Sequence, residues 1–186
     1  MQKSKIFIIS GPSAAGEDSI IKGLREVIDF EKIVTSTTRA MRTGDIMGDP
    51  YYFISKNEFT AGIESNEFYE YVQQDGGNYY GVTKKEIERA INSGKPVIWK
   101  IEYKGAIKAK NLFPDSVAIL IDVPLEVIEK RIRLRDNPTE EYLQTRLEYA
   151  KGWYQNKDKF DYSIKNEDGK LSEAIQEVVK IINPSI

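Results

Sequence analysis

Ile6-Phe7-Ile8-Ile9-Ser10-Gly11-Pro12-Ser13-Ala14-Ala15-Gly16-Glu17-Asp18-Ser19 is the stretch on which the fold turns. Its first four residues are an apolar, β-branched run that reads as a strand. Ile20, Ile21 and Leu24 follow with helical spacing. A strand that passes through a glycine-rich turn into a helix presents backbone N–H groups and a helix N-terminus to phosphate. In the pattern G-x-x-x-x-G-K-[ST] a lysine then reaches the β/γ oxygens and a hydroxyl holds magnesium. Gly11 and Gly16 keep that spacing, but Glu17 stands at the lysine position and Asp18 follows it. The shape is kept and the charge inverted. For unit charges about 4 Å apart at an effective dielectric near 20, the gross interaction is about 4 kcal/mol, and lysine to glutamate swings it by about twice that. Several decades in rate are then at stake. Taken alone, the stretch is either a phosphate loop or an ordinary strand-turn-helix.

Composition narrows the chemistry. With 186 residues, 21.3 kDa and 40% hydrophobic content, the chain is long enough for one globular domain with appended lobes. A formal charge of −2 gives no global pull toward nucleic acid or anionic membranes. Small molecules are the expected partners, and the chain is expected to be a monomer or homodimer. Cysteine is absent, which excludes disulfides, thiolate metal sites and cysteine nucleophiles. Histidine is absent too; the commonest general base and metal ligand is missing, which favours catalysis by positioning and charge. No apolar run approaches the roughly 18 residues of a membrane span, and Met1 to Lys5 is too short for a signal peptide. A cytoplasmic location is the expectation.

Strands and helices alternate along the rest of the chain. Ile33 to Ser36 reads as a strand, and Thr37 to Pro50 as loop. Tyr51 to Ile54 is a short aromatic strand, and Ser55-x-x-Glu58 is a capping box for a helix over Lys56 to Glu64. Phe68 to Gln74 and Asn78 to Val82 read as strands around Gly76-Gly77. Thr83-x-x-Glu86 is a second capping box, opening a helix that Gly94 closes. Val97 to Ile101 and Val117 to Val123 read as strands covered on both faces. Pro124 suits the first turn of a helix carrying Arg131, Arg133 and Arg135. A helix over Thr139 to Lys159, a strand over Tyr162 to Ile164 and a helix over Leu171 to Ile182 complete the pattern. Such alternation predicts a three-layer α/β core with a parallel sheet. The segment Tyr51 to Val82 breaks the rhythm and reads as a small inserted lobe.

Ser36-Thr37-Thr38-Arg39-Ala40-Met41-Arg42-Thr43-Gly44-Asp45, with Gly48, Tyr51, Phe53, Glu70 and Gly77-Asn78-Tyr79-Tyr80-Gly81, resembles the guanylate kinase family. Gly94, Gly105-Ala106, Phe113-Pro114, the arginines at 131, 135 and 146, and Asn166-Glu167-Asp168 extend the resemblance colinearly over nearly the whole chain. It implies a P-loop kinase fold with a core over about 1–34, 83–130 and 147–186. A nucleotide-binding lobe would span about 35–82 and a helical lid about 131–146. It also implies ATP and Mg2+ as co-substrate and cofactor, and GMP as acceptor.

The resemblance assigns the acceptor phosphate to Arg39, Arg42, Tyr51 and Tyr80, with Thr35 where the family often has serine. Guanidinium forks match phosphate oxygens bidentately. For the base, Glu70 matches one family acid, Glu102 replaces an aspartate with a longer acid, and Val82 stands where a hydroxyl is usual. Carboxylates accept from guanine N1–H and its amine, a pairing adenine does not offer. The donor phosphates fall to the loop Gly11, Pro12, Ser13, Ala14, Ala15, Gly16, Glu17, Asp18 and Ser19. Some relatives resemble G-K-D-S here, which implies Asp18 as a group that ligates or orients magnesium through water. Arg131, Arg135 and Arg146 match the arginines that close over the transferring phosphoryl group. Leu134 and Asp136 replace two glycines of the family's lid loop. Asn166 resembles the residue beside the donor adenine.

Lys100 stands where the family usually has an acid. A charge swap follows as an expectation: Glu17 and Lys100 pair, or Lys100 reaches the donor phosphates in place of the loop lysine. Functions of different classes remain open at the sequence level. One is a nucleoside monophosphate kinase. Another is an inactive guanylate-kinase-like module that binds nucleotide or phosphopeptide, and a third is a kinase for another phosphorylated acceptor such as ribose bisphosphate.

Overall fold

Every residue of β1 (Ile6–Ser10) is buried, as a strand covered on both faces must be. The computed structural model describes residues 4–73 and 76–183; Gln74, the end of one predicted strand, lies outside the described residues. β1 runs through the glycine turn into α1 (Glu17–Leu24), which buries Ile20, Ile21 and Leu24 along one stripe. The chain then forms two units, one of Ser4 with Glu31–Val97, the other of Lys5–Phe30 with residues 98–183.

The first unit contains β2 (Glu31–Lys32), β3 (Thr35–Thr37), β4 (Ile46–Met47), β5 (Pro50–Phe53), α2 (Lys56–Glu64), β6 (Phe68–Gln73), β7 (Tyr79–Thr83) and α3 (Lys84–Ile91). Its sheet has the order β4-β5-β3-β7-β6 and is mixed, with β3 parallel to β5 and antiparallel to β7. Of the strand predicted over Ile33 to Ser36 only Thr35 and Ser36 are strand, at the start of β3, and β2 ends just before that range. Between them the Val34 N–H donates to Glu86 Oε1 at 2.8 Å, so a side chain replaces a ladder partner there. Glu86 consequently does not close the predicted second capping box. Thr83 Oγ1 accepts from the Glu86 N–H, while the Glu86 carboxylate is taken by Val34 and Arg89. The first box is complete: Ser55 Oγ accepts from the Glu58 N–H and Glu58 Oε2 accepts from the Ser55 N–H. Phe59 of α2 is fully buried, stacked on Phe68 at 4.2 Å and on Tyr79 at 5.2 Å.

β8 (Val97–Lys100) leads into the second unit, which continues with α4 (Tyr103–Leu112), β9 (Val117–Asp122) and α5 (Leu125–Asp136). It ends with α6 (Glu140–Gln155), β10 (Tyr162–Lys165) and α7 (Leu171–Ile182). The strands run β10-β9-β1-β8, with β9 parallel to both β1 and β10. Phe7, Ile9, Ile119, Ile121 and Ile164 pack with Ile20 and Leu24 of α1, Ile128 and Ile132 of α5, and Val178 of α7. Residues of opposite parity, Ile8, Trp99 and Leu120, are buried as well. Trp99 meets Phe113 beyond the end of α4, and Trp153 of α6 donates to Ser10 Oγ at 2.8 Å. The expected α/β core with a parallel sheet is therefore present. Pro124 sits at the N-cap of α5, just before the predicted first turn. α6 stops at Gln155 because Asn156 Nδ2 turns back onto Gly152 O and residues 157–159 tighten into a 3₁₀ turn. Among the described residues no helix is long and apolar enough to cross a membrane.

Candidate active site

Of the acceptor candidates of the first unit, Arg39, Tyr51 and Tyr80 come together beside β3. Thr37 Oγ1 donates to Tyr79 O at 2.9 Å and accepts from the Arg39 N–H at 3.1 Å, and Thr38 Oγ1 accepts from the Tyr79 N–H at 2.9 Å. The Arg39 guanidinium lies 5.6 Å from the Tyr51 ring and 5.2 Å from that of Phe53, and Tyr51 meets Tyr80 edge-on at 5.8 Å. Thr35 stands opposite Tyr51 in register. Arg39 Nη2 donates to Asp45 Oδ2 at 2.8 Å, and the Arg42 N–H donates to the same oxygen at 2.7 Å. The Arg42 N–H, helped by Arg39, holds the Asp45 carboxyl below the usual range. Glu70 pairs with Val82 across β6 and β7, and Val82 is fully buried, so that position brings no polar group to the sheet surface.

In the second unit the loop is wound by left-handed residues, Ala14 at φ +66° and Gly16 at φ +100°. At Gly16 a Cβ would stand 2.3 Å from Asn166 Nδ2, so glycine is required on both counts. Asn166 is buried and its Nδ2 donates to Ala15 O at 2.7 Å; it braces the loop. Ala15 N–H returns to Pro12 O at 2.9 Å. Gly11 and Pro12 are buried, Ser13 half-buried, and Asp18 and Ser19 exposed at the start of α1.

The Glu17 carboxylate folds back so that Oε2 accepts from the Gly16 N–H at 3.1 Å. Surrounding protein pushes its carboxyl up to about 7, against the nearby positive charge of Lys100. Lys100 makes its ion pair one residue on: Nζ is 2.6 Å from Asp18 Oδ2. The direct Glu17–Lys100 pair expected from the sequence is thus corrected to Asp18–Lys100. The reason is reach and competition, since Glu17 has a backbone donor at hand and Asp18 points outward to the ammonium. Asp18 and Ser19 offer one carboxylate and one hydroxyl, which fits a magnesium ion that takes its remaining ligands from phosphate and water. No cluster of three acidic groups suited to a metal exists among the described residues.

Two of the three arginines expected to form a lid touch the loop. Arg131 Nη1 donates to Ala14 O at 3.2 Å and Nη2 to Asn166 O at 2.8 Å, with Asp168 Oδ1 also 2.8 Å from Nη2. Arg135 Nη2 donates to Ser13 Oγ at 3.3 Å, while Asp136 grips its guanidinium bidentately at 2.7 Å. Arg146 lies instead over the Tyr142 ring of its own helix, at 5.7 Å. Glu102 caps α4: its carboxylate accepts from the Gly105 and Lys104 N–H groups.

The sequence model for the family described as guanylate kinase matches residues 3–185. A guanylate kinase from Clostridium tetani is 36% identical over 98% of this chain and 87% of its own length. One from Fusobacterium nucleatum is 32% identical over the whole of both chains. The chain belongs to the guanylate kinase family. The crystal structure of guanylate kinase from Anaplasma phagocytophilum matches with a TM-score of 0.76 at 28% identity, over 98% of this chain and 86% of that one. A shikimate kinase from Acinetobacter baumannii, at 18% identity and a TM-score of 0.53 over 97% of this chain and 94% of that one, shares the fold alone. The chain is accordingly a P-loop enzyme of the nucleoside monophosphate kinase type.

Within this guanylate kinase family member, sequence reasoning missed the acids that hold the candidate arginines. Asp45 on Arg39 and Asp168 on Arg131 were quoted only as parts of motifs, and Asp136 on Arg135 only as a replaced glycine. An acid three to six residues from a candidate arginine in a loop was the available signal for Asp45; the contact of Asp168 with Arg131, across 37 residues, left none. A cavity of about 550 Å³ opens among Asp122, Pro124, Leu125, Tyr154 and Glu167. None of the predicted site residues lines it.

Proposed function

We propose that the protein transfers the γ-phosphoryl group of ATP to GMP or dGMP, with Lys100 serving the donor phosphates in place of a loop lysine. The observation that carries this reading is the convergence of Arg39, Tyr51 and Tyr80 in a member of this family. A nucleotide phosphate carries roughly two negative charges near neutral pH, comparable with a phosphorylated side chain. Arg39 and Arg42 neutralise it, and the Tyr51 and Tyr80 hydroxyls, with Thr35, fix its oxygens. Glu70 in the first unit and Glu102 in the second are each a carboxylate suited to accept from guanine N–H groups. On the donor side the backbone N–H groups of residues 14–19 and the N-terminus of α1 receive the β and γ oxygens. Glu17 gives up the Gly16 N–H when they arrive. Lys100, already at the start of α1 through Asp18, turns to the incoming oxygens. Arg131 and Arg135, released from their acids, and Arg146, brought over from Tyr142, spread the charge of the moving phosphoryl group. Asp18 and Ser19 would hold magnesium, which adds charge neutralisation. Positioning is sufficient for the transfer, and no histidine is needed.

A coupled ATP/GMP assay tests this on the native protein, Lys100→Glu, Glu17→Lys and the double variant. Turnover by the native protein is expected; Lys100→Glu should lower kcat about a hundredfold, and adding Glu17→Lys should restore at least about tenfold of it, because charge pairs in contact are not additive. The hold of Glu17 on the Gly16 N–H favours a second reading, a module that binds the acceptor nucleotide without transferring to it. GMP binding with neither ATP binding nor turnover on any nucleoside monophosphate would establish that reading.

A further inference from the structure

α6 carries Arg146 and, one turn later, Tyr149. Tyr149 Oη donates to Glu102 Oε2 at 2.9 Å. The same carboxylate caps α4, with Oε1 accepting from the Gly105 N–H at 2.8 Å and Oε2 from the Lys104 N–H at 3.1 Å. An ionised carboxylate has about four lone-pair sites. Oε2 is filled by two donors, and an open site remains on Oε1. The tyrosine is itself fixed: its ring meets Trp153 edge-on at 5.4 Å and Tyr103 at 5.8 Å. That cluster closes because residue 152 is glycine, where a Cβ would stand 2.5 Å from the Tyr103 ring. Burial, and then the charge of Glu102, push the Tyr149 hydroxyl above its ordinary pKa, so it stays a donor.

Glutamate has one more rotatable bond than aspartate, and a longer acid used to read a base needs bracing that a shorter one does not. We propose that Tyr149 is a positioning residue for the acceptor base: it holds Glu102 in one rotamer and leaves Oε1 as the acceptor for an N–H donor on a guanine-type edge. The inference rests on the reading of Glu102 as a base-contacting group. It also ties that group to the helix of Arg146, so that the acceptor base and a lid arginine are addressed by one rigid element.

The test is calorimetric binding of GMP and of purine riboside 5′-monophosphate, which keeps phosphate, ribose and ring system but lacks both guanine donors. It uses the native protein, Tyr149→Phe, Glu102→Gln and the double variant, with thermal unfolding confirming that each is folded. Tyr149→Phe keeps the ring and should weaken GMP about fivefold to tenfold, the net worth of one ordinary hydrogen bond, while purine riboside monophosphate changes less than about twofold. In the Glu102→Gln background the tyrosine change should have no further effect. Equal weakening of both nucleotides, or additive effects in the double variant, would overturn the proposal. If Glu102→Gln weakens GMP and Tyr149→Phe does not, the base-contacting role of Glu102 stands and the role of Tyr149 falls. If Glu102→Gln leaves GMP untouched, both fall.

Discussion

The candidate acceptor cluster of the first unit and the glycine loop of the second, both proposed for phosphate, are built by different means. Around Arg39 the candidate groups are cationic and hydroxylic, and Arg39 itself is braced by Asp45 on its guanidinium, the Tyr51 and Phe53 rings beside it and the Thr37 hydroxyl at its backbone N–H. Around Gly16 the backbone is wound for phosphate, yet the side chains that follow are carboxylates, one of them holding a backbone donor. Loop shape and loop charge are thus separate specifications. The shape depends on Ala14, Gly16, Asn166 and Arg131, none of which needs a lysine at position 17, so the charge could invert without loss of the fold.

The sharpest way to break this contrast is to remove the acceptor cation. Arg39→Ala should raise the Kd for GMP about a hundredfold, the worth of a bidentate charge-assisted contact, with a much smaller change in Tm because its partners are near the surface. Unchanged GMP affinity in a calorimetric titration would mean that the cluster is not the phosphate site. Next in size is the loop backbone. Gly16→Ala places a side chain at φ +100° against Asn166 and should cost about 1–3 kcal/mol in denaturant unfolding, with ATP binding lost and GMP binding kept. Equal loss of both ligands would show the two sites to be inseparable. The smallest effect is electrostatic. The Glu17 carboxyl holds its proton more tightly in the folded chain, at about 7 against an ordinary 4.5. Its contribution to stability is therefore full below about 4.5 and is lost as pH rises through about 7. Urea titrations from pH 4.5 to 8 should show a decline that Glu17→Gln flattens; identical profiles would place Glu17 in water.

Local signals were the legible ones. The Ser55–Glu58 box and the bounds of α7 were read correctly because the determinants lie within one helix. The same pattern at Thr83 and Glu86 misled, since Val34, 52 residues away, competes for the glutamate. Lys100 stood out as a charge in an apolar strand, and of the two expectations for it the direct pair with Glu17 gives way to one with Asp18, because side-chain reach at a helix start is decided in three dimensions. Asp168 and Tyr149 act over 37 and 47 residues, and nothing in their immediate neighbourhood marks them. The fold class was clearer than the site for the same reason: periodicity is repeated along every element, whereas each bracing contact occurs once.

Trp153 gives the molecule an optical consequence. The chain has two tryptophans; Trp99 has no exposed surface, whereas Trp153 donates from its indole nitrogen to Ser10, the residue directly before Gly11, and packs its ring on Tyr103 and Tyr149. One chromophore is therefore wired to the phosphate loop on one side and to the Glu102 carboxylate, through Tyr149, on the other. Emission from an unlabelled protein carries a signal from both ends of the candidate donor and base contacts.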